Sequence, residues 1–109
     1  MKPKLHIAQN SQELLEIAAS MLLTAPRFLD KTGYFPYMNL DYAFQELREG
    51  LDHNRRTLGE ERYLELTRMS AQMQALFEAD PEDETGGTLE GRKIILQMED
   101  ILKQVRRKS

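Results

Sequence analysis

Sixteen of the 109 residues are leucine and only one, Val105, is valine. Branching at Cβ stiffens a side chain and suits it to strands, whereas leucine loses little freedom in a helix. A chain that draws its apolar side chains so heavily from leucine is built for helices. The spacing agrees, because apolar residues recur every three or four positions in four segments. Alternation is confined to Leu5 and Ile7 on either side of His6, which makes a short extended arm too brief for a strand.

The first segment runs from about Ser11 to Thr24 with Leu14, Leu15, Ile17, Ala18, Met21 and Leu22 inward. Asn10 or Ser11 caps it, Glu13 completes a capping box from Asn10, and Pro26 ends it. The second runs from about Asn39 to Thr57, with Leu40, Ala43, Phe44, Leu47, Leu51 and Leu58 on one stripe. Asn39 is its N-cap, Arg55 and Arg56 suit its last turn, and Gly59 suits the position just past its end. Gly50 interrupts this helix and predicts a close helix–helix approach, since a mid-helix glycine otherwise costs up to about 1 kcal/mol. The third runs from about Glu60 to Ala79, on Tyr63, Leu66, Met69 or Ser70, Met73, Leu76 and Phe77. The short Leu58-Gly59-Glu60 junction folds the second and third segments into an antiparallel hairpin. A loop follows from Asp80 to Gly87. The last helix starts near Thr88 as N-cap and carries Leu89, Ile95, Met98, Leu102 and Val105, widened by Ile94 and Ile101.

Four amphipathic helices with one stripe each predict an all-α fold, a four-helix-type bundle forming a single domain over residues 1–109. The irregular part is an aromatic loop from Ala25 to Met38, with Phe28, Tyr34, Phe35 and Tyr37. At 40% hydrophobic and 30% charged the chain is ordinary globular material. It has no cysteine, hence no disulfide framework and no thiolate chemistry. The N-terminus lacks the apolar run of a signal peptide, and Ile17 to Leu23 is far too short to span a bilayer. These features are compatible with a reducing cytosol and predict no membrane partner.

No catalytic or metal motif emerges. The chain contains no P-loop, Gly-x-Ser-x-Gly, dinucleotide fingerprint or His-Glu-x-x-His. His53 lies near Glu46 and Glu49, yet no Glu-x-x-His of a di-metal bundle occurs. No cofactor or metal is expected, and the chain reads as a non-enzyme. Direct nucleic-acid binding is also disfavoured. The net charge is −3, and the third helix sets Glu60, Glu61, Glu65 and Glu78 against Arg62 and Arg68, the wrong sign for a helix meeting phosphates.

Two features read as interaction surfaces. Tyr34, Tyr37 and Tyr42 are candidate anchors, tyrosine being enriched at interface hot spots; they could equally pin the loop to the bundle. Asp41, Glu46, Glu49 and Asp52 on the second helix, with Asp80, Glu82, Asp83 and Glu84 in the loop, could steer a basic partner or be plain solvated surface. Asp80, Glu82, Asp83, Glu84 and Glu90 give residues 80–91 a charge of −5. Six basic residues against Glu99 and Asp100 give residues 92–109 a charge of +4.

Three stretches together resemble a known family. Tyr34-Phe35-Pro36-Tyr37-Met38-Asn39-Leu40-Asp41-Tyr42, the Leu58-Gly59-Glu60-Glu61-Arg62-Tyr63 hairpin and the Asp80-Pro81-Glu82-Asp83 turn are similar to small helical immunity proteins of bacterial contact-dependent growth inhibition systems. The resemblance implies a cytoplasmic non-enzyme that binds a cognate toxin domain, in many cases a nuclease and in some a tRNase, over its active or substrate-binding face. On that reading Asp41, Glu49, Asp52, Asp80, Glu82, Asp83 and Glu84 supply charge complementarity to a basic toxin. A small helical adaptor or regulatory subunit of a larger cytoplasmic complex is the alternative.

Overall fold

The computed structural model describes residues 7–25, 28, 39–80 and 82–108, with 106–108 described by their backbone alone. His6, Pro26, Tyr34, Phe35 and Tyr37 lie outside the described residues. Among the described residues five helices form: α1 Ser11–Thr24, α2 Leu40–His53, α3 Arg55–Leu58, α4 Glu60–Glu78 and α5 Gly87–Lys108. No strand occurs among the described residues. The four long helices close a ring, α1 against α5, α5 against α4, α4 against α2 and α2 against α1. The expected all-α bundle is what forms, with α3 as an added single turn.

The starts of α1 and α2 follow from their caps. The Asn10 side chain accepts from the Glu13 amide at 3.0 Å, and the Asn39 side chain accepts from the Tyr42 amide at 2.9 Å. Each satisfies one of the orphan N–H groups of a first turn.

The second predicted helix does not run unbroken to Thr57. It stops at His53, and Asn54 takes a bridge conformation with φ −102° and ψ 11°. The cause is the Asn54 side chain, which is buried and donates at 2.8 Å both to the Gly50 carbonyl and to the Ala8 carbonyl. One amide thus ends α2 and ties down the segment before α1. Gly50 allows that approach: a Cβ there would lie 2.9 Å from Leu14 Cδ2 and 3.2 Å from Ala8 Cβ. The close contact expected of Gly50 is therefore with α1 and the residue run leading into it.

Gly59 then reverses the chain. Its φ of 86° and ψ of 153° fall in a region open almost only to glycine. Nothing lies within 4 Å of where its Cβ would be, so backbone conformation alone demands the glycine. The reversal makes α2 and α4 antiparallel: Tyr63 early in α4 meets Asp52 late in α2, and Gln74 late in α4 meets Arg48.

The core is organised by three phenylalanines. Phe28 meets Phe44 at 5.5 Å and Phe77 at 5.1 Å between ring centroids, both edge-to-face, and Phe44 meets Phe77 at 6.3 Å. Edge-to-face pairing puts positive ring edges on negative faces, worth about 0.5–1.5 kcal/mol per pair beyond burial. Phe28 is fully buried although its φ is +58°. A left-handed residue costs about 1–2 kcal/mol, an amount that burying a whole ring offsets. From the far side α5 presses Gly91 onto Phe77, where an added Cβ would lie 2.6 Å from Cζ. Leu89 departs from its expected place in the α5 stripe. It is 58% exposed, because it stands half a revolution from Met98, which lies in the core.

Gly91→Ala should lower unfolding free energy by about 1–3 kcal/mol through overpacking, despite alanine's better helix propensity. Gly50→Ala should cost less, since its Cβ would meet the end of the Leu14 side chain at 2.9 Å and Ala8 Cβ at 3.2 Å, where that of Gly91 would meet a rigid ring at 2.6 Å. Urea denaturation of both variants checks the order. An unaltered or stabilised Gly91→Ala protein would show that α5 can slide off Phe77.

Candidate partner-binding surface

Asp80 does not belong to a partner-facing surface. It is 1% exposed. Its Oδ1 accepts from the Glu84 amide at 2.6 Å and the Thr85 amide at 2.9 Å, and its Oδ2 accepts from the Thr88 amide at 2.9 Å. The Thr88 hydroxyl donates back to the Asp80 carbonyl at 3.1 Å. The carboxylate folds the 80–88 loop around itself and serves as the remote cap of α5. Thr88 is accordingly not the N-cap. It lies inside the helix, and the Gly86 carbonyl, at a residue with φ +88°, accepts the first α5 bond from Glu90 at 3.1 Å. Those N–H donors hold the Asp80 carboxyl far below the ordinary carboxylate range, the Thr88 amide foremost, against an opposing effect of burial.

Around that fixed centre the loop presents Glu82, Asp83 and Glu84 outward, all exposed. Asp83 sits at φ 55°, a left-handed position that aspartate tolerates better than most residues. Its amide closes the turn onto the Asp80 carbonyl at 3.2 Å.

The α2 acids divide between the two ends of the bundle. Phe44 touches Phe77, so the start of α2 lies beside the end of α4, from which the loop springs. Asp41, one turn before Phe44 and exposed, therefore shares an end with Glu82, Asp83 and Glu84. Asp52 lies eleven residues on, about 16 Å along the helix. There it accepts from the Tyr63 hydroxyl at 2.5 Å, while Arg55 lies 4.5 Å over the Tyr63 ring and pairs with Glu60 at 2.6 Å. The Asp52 hydrogen bond, then burial, raises the Tyr63 phenol above its ordinary value. The Glu60 hydrogen bond raises the Arg55 guanidinium. Asp52 is thus part of a mixed-charge junction between α2, α3 and α4. Glu49 is exposed between the two ends.

Among the aromatic candidates, Tyr42 is 7% exposed and packs as part of the bundle wall. Tyr34 and Tyr37 lie outside the described residues. The Tyr63–Arg55 stack escaped sequence reading, which placed Tyr63 in the core stripe. Arg55 and Glu60 are five apart across a glycine, and only the turn brings them together.

Two shallow grooves mark the surface, one lined by Glu61, Arg62, Glu65, Ile101 and Gln104, the other by Leu58, Gly59, Glu60, Glu61 and Arg62. Both are open to solvent and suit a protein side chain better than an enclosed small substrate. No group of three His, Cys, Asp or Glu able to hold a metal occurs among the described residues. None of the helices is long and apolar enough to cross a membrane among those residues. Compared with protein-family models, with curated proteins and with solved structures, the chain matches none of them.

The folded chain keeps Asp80 ionised to lower pH than the unfolded chain does, so the unfolded chain binds more protons in acid. The contribution of Asp80 is complete above the ordinary aspartate range and is lost as pH falls below about 4. Urea midpoints should therefore drop more steeply towards pH 2 for the native protein than for Asp80→Asn, which should already be weaker at neutral pH. Parallel acid profiles would mean that the carboxylate does not hold the loop.

Proposed function

We propose that this chain is an immunity protein, a non-catalytic inhibitor that binds a cognate contact-dependent growth inhibition toxin one to one in the cytoplasm. The observation that carries the reading is the acidic end of the bundle. Asp41, in α2, lies towards the same end as Glu82, Asp83 and Glu84, whose loop is held by the buried Asp80 carboxylate. The resemblance of the three sequence stretches supplies the class of partner.

The physical case is one of complementarity. A nuclease must be basic where it holds phosphates. A fixed array of carboxylates can occupy that face, compete with RNA and attract it from a distance. Fixing the loop beforehand reduces the ordering cost of binding. Asp80 therefore acts as a positioning residue, and the acids around it make the contacts. The Asp52–Tyr63–Arg55 junction, with its mixed charge, plays no part in this steering.

The test uses a candidate toxin domain sought among the genes that adjoin the one for this chain. Co-expression should protect cells from it, and mixing the two proteins should give a one-to-one complex. Glu82→Lys with Glu84→Lys, and Asp83→Asn to keep the left-handed turn, should slow association roughly tenfold or more at low salt, with the difference shrinking as salt is added. Protection with an unchanged association rate would remove the loop from the interface. Absence of both protection and complex would sink the immunity reading.

A further inference from the structure

Asn54 joins two parts of the fold that chain order keeps apart. Its side-chain amide donates at 2.8 Å to the Gly50 carbonyl, at the end of α2, and at 2.8 Å to the Ala8 carbonyl, which holds residues 7–9 against that end. Ala8 is 0% exposed. It fits because Gly50 has no side chain, since a Cβ there would lie 3.2 Å from Ala8 Cβ. Gln9 adds a contact of its Oε1 with His53 Nε2 at 3.2 Å. Gly50, His53 and Asn54 stand at i, i+3 and i+4, so one face of the last turn of α2 forms the whole seat.

The hold is narrow. Among the described residues, no other hydrogen bond fastens residues 7–9 to another element. They can lift without breaking a helix, and Asn10 stays behind as a pivot, its side chain on the Glu13 amide at 3.0 Å. The end of α2 is equally ready to change. Only Asn54 separates His53, the last residue of α2, from Arg55, the first of α3. The Asn54 amide already reaches back to the Gly50 carbonyl at 3.1 Å, and its own carbonyl already accepts from the Leu58 amide at 2.9 Å, both with helical spacing. Its φ of −102° and ψ of 11° depart from the helix by about 40–50° each. Leu47, Leu51 and Leu58 keep helical spacing across the break and are all buried. An unbroken helix would therefore face the core with the same stripe.

We propose that residues 7–9 are a strap that opens and closes on the end of α2, and that its position sets the joint between α2 and α3. Closed, the Ala8 carbonyl draws the Asn54 side chain inward and the helix breaks. Open, that side chain turns to water, its backbone relaxes, and α2 and α3 run as one helix to Leu58. The change reaches the charged junction beyond. Arg55 directly follows the joint, and in the closed form it lies 4.5 Å over the Tyr63 ring and 2.6 Å from Glu60. Rotation about Asn54 carries it off both partners, while Asp52, ahead of the joint, keeps its bond to the Tyr63 hydroxyl. Strap and joint thus form one two-state element. This inference does not rest on the immunity reading.

NMR of the full chain tests it. In the native protein the Asn54 side-chain amide should be protected from hydrogen exchange at least about tenfold less than the backbone amide of Leu102, because it opens locally. Ala8→Arg, whose side chain has no room on Gly50, should displace the strap without touching Asn54. Backbone order parameters at residues 7–9 should fall from about 0.85 to below about 0.6. The Asn54 Cα shift should then move to a helical value, and Arg55 should lose the ring-current shift from Tyr63. Asn54→Ala should free the strap in the same way, and circular dichroism checks that the helices persist in both variants. A strap that stays ordered in Asn54→Ala would overturn the proposal. So would an Asn54 side-chain amide as protected as the Leu102 amide in the native protein, a measurement that needs no variant to fold. An unchanged Asn54 Cα shift once Ala8→Arg has displaced the strap would show strap and joint to be independent, and would overturn it too.

Discussion

The whole bundle depends on what surrounds the Phe77 ring. Phe28 meets its edge from the segment after α1, Phe44 meets it from α2, and Gly91 lies over it from α5. Four parts of the chain are thereby located by one side chain. Interiors pack like organic crystals, so such a ring has one place and its neighbours inherit theirs from it. Phe28 accepts a left-handed backbone to reach this spot, and Gly91 gives up its side chain to leave room. Both departures from local preference serve the same ring, which is why each is tolerable.

The helices were legible because their information is local. Periodicity, asparagine caps and the Gly59 reversal each lie within a few residues, and the structure follows them closely. Asn54 was not legible. An asparagine near the end of a helical stripe reads as surface, and only its bond to the Ala8 carbonyl, 46 residues away, turns it into a buried stop. Gly91 was equally silent, since nothing beside it in sequence announces Phe77. Leu89 misled for a related reason. It lies only one step outside the helical stripe by spacing, and a half-revolution error becomes visible only when the core side is known.

The candidate surface shows the same limit in electrostatic form. A run of aspartates and glutamates looks uniform in sequence, yet the fold sorts it by solvation. Asp80 is buried, where a carboxylate survives only if its lone pairs are filled, and three amides fill them. Its neighbours Glu82 to Glu84 are exposed to water. Asp52 meets a tyrosine because the antiparallel hairpin brings Tyr63 to it. One acidic set thus divides into a scaffold, a junction and an exposed end. Composition alone cannot make that division, since it depends on which backbone amides curl towards which carboxylate.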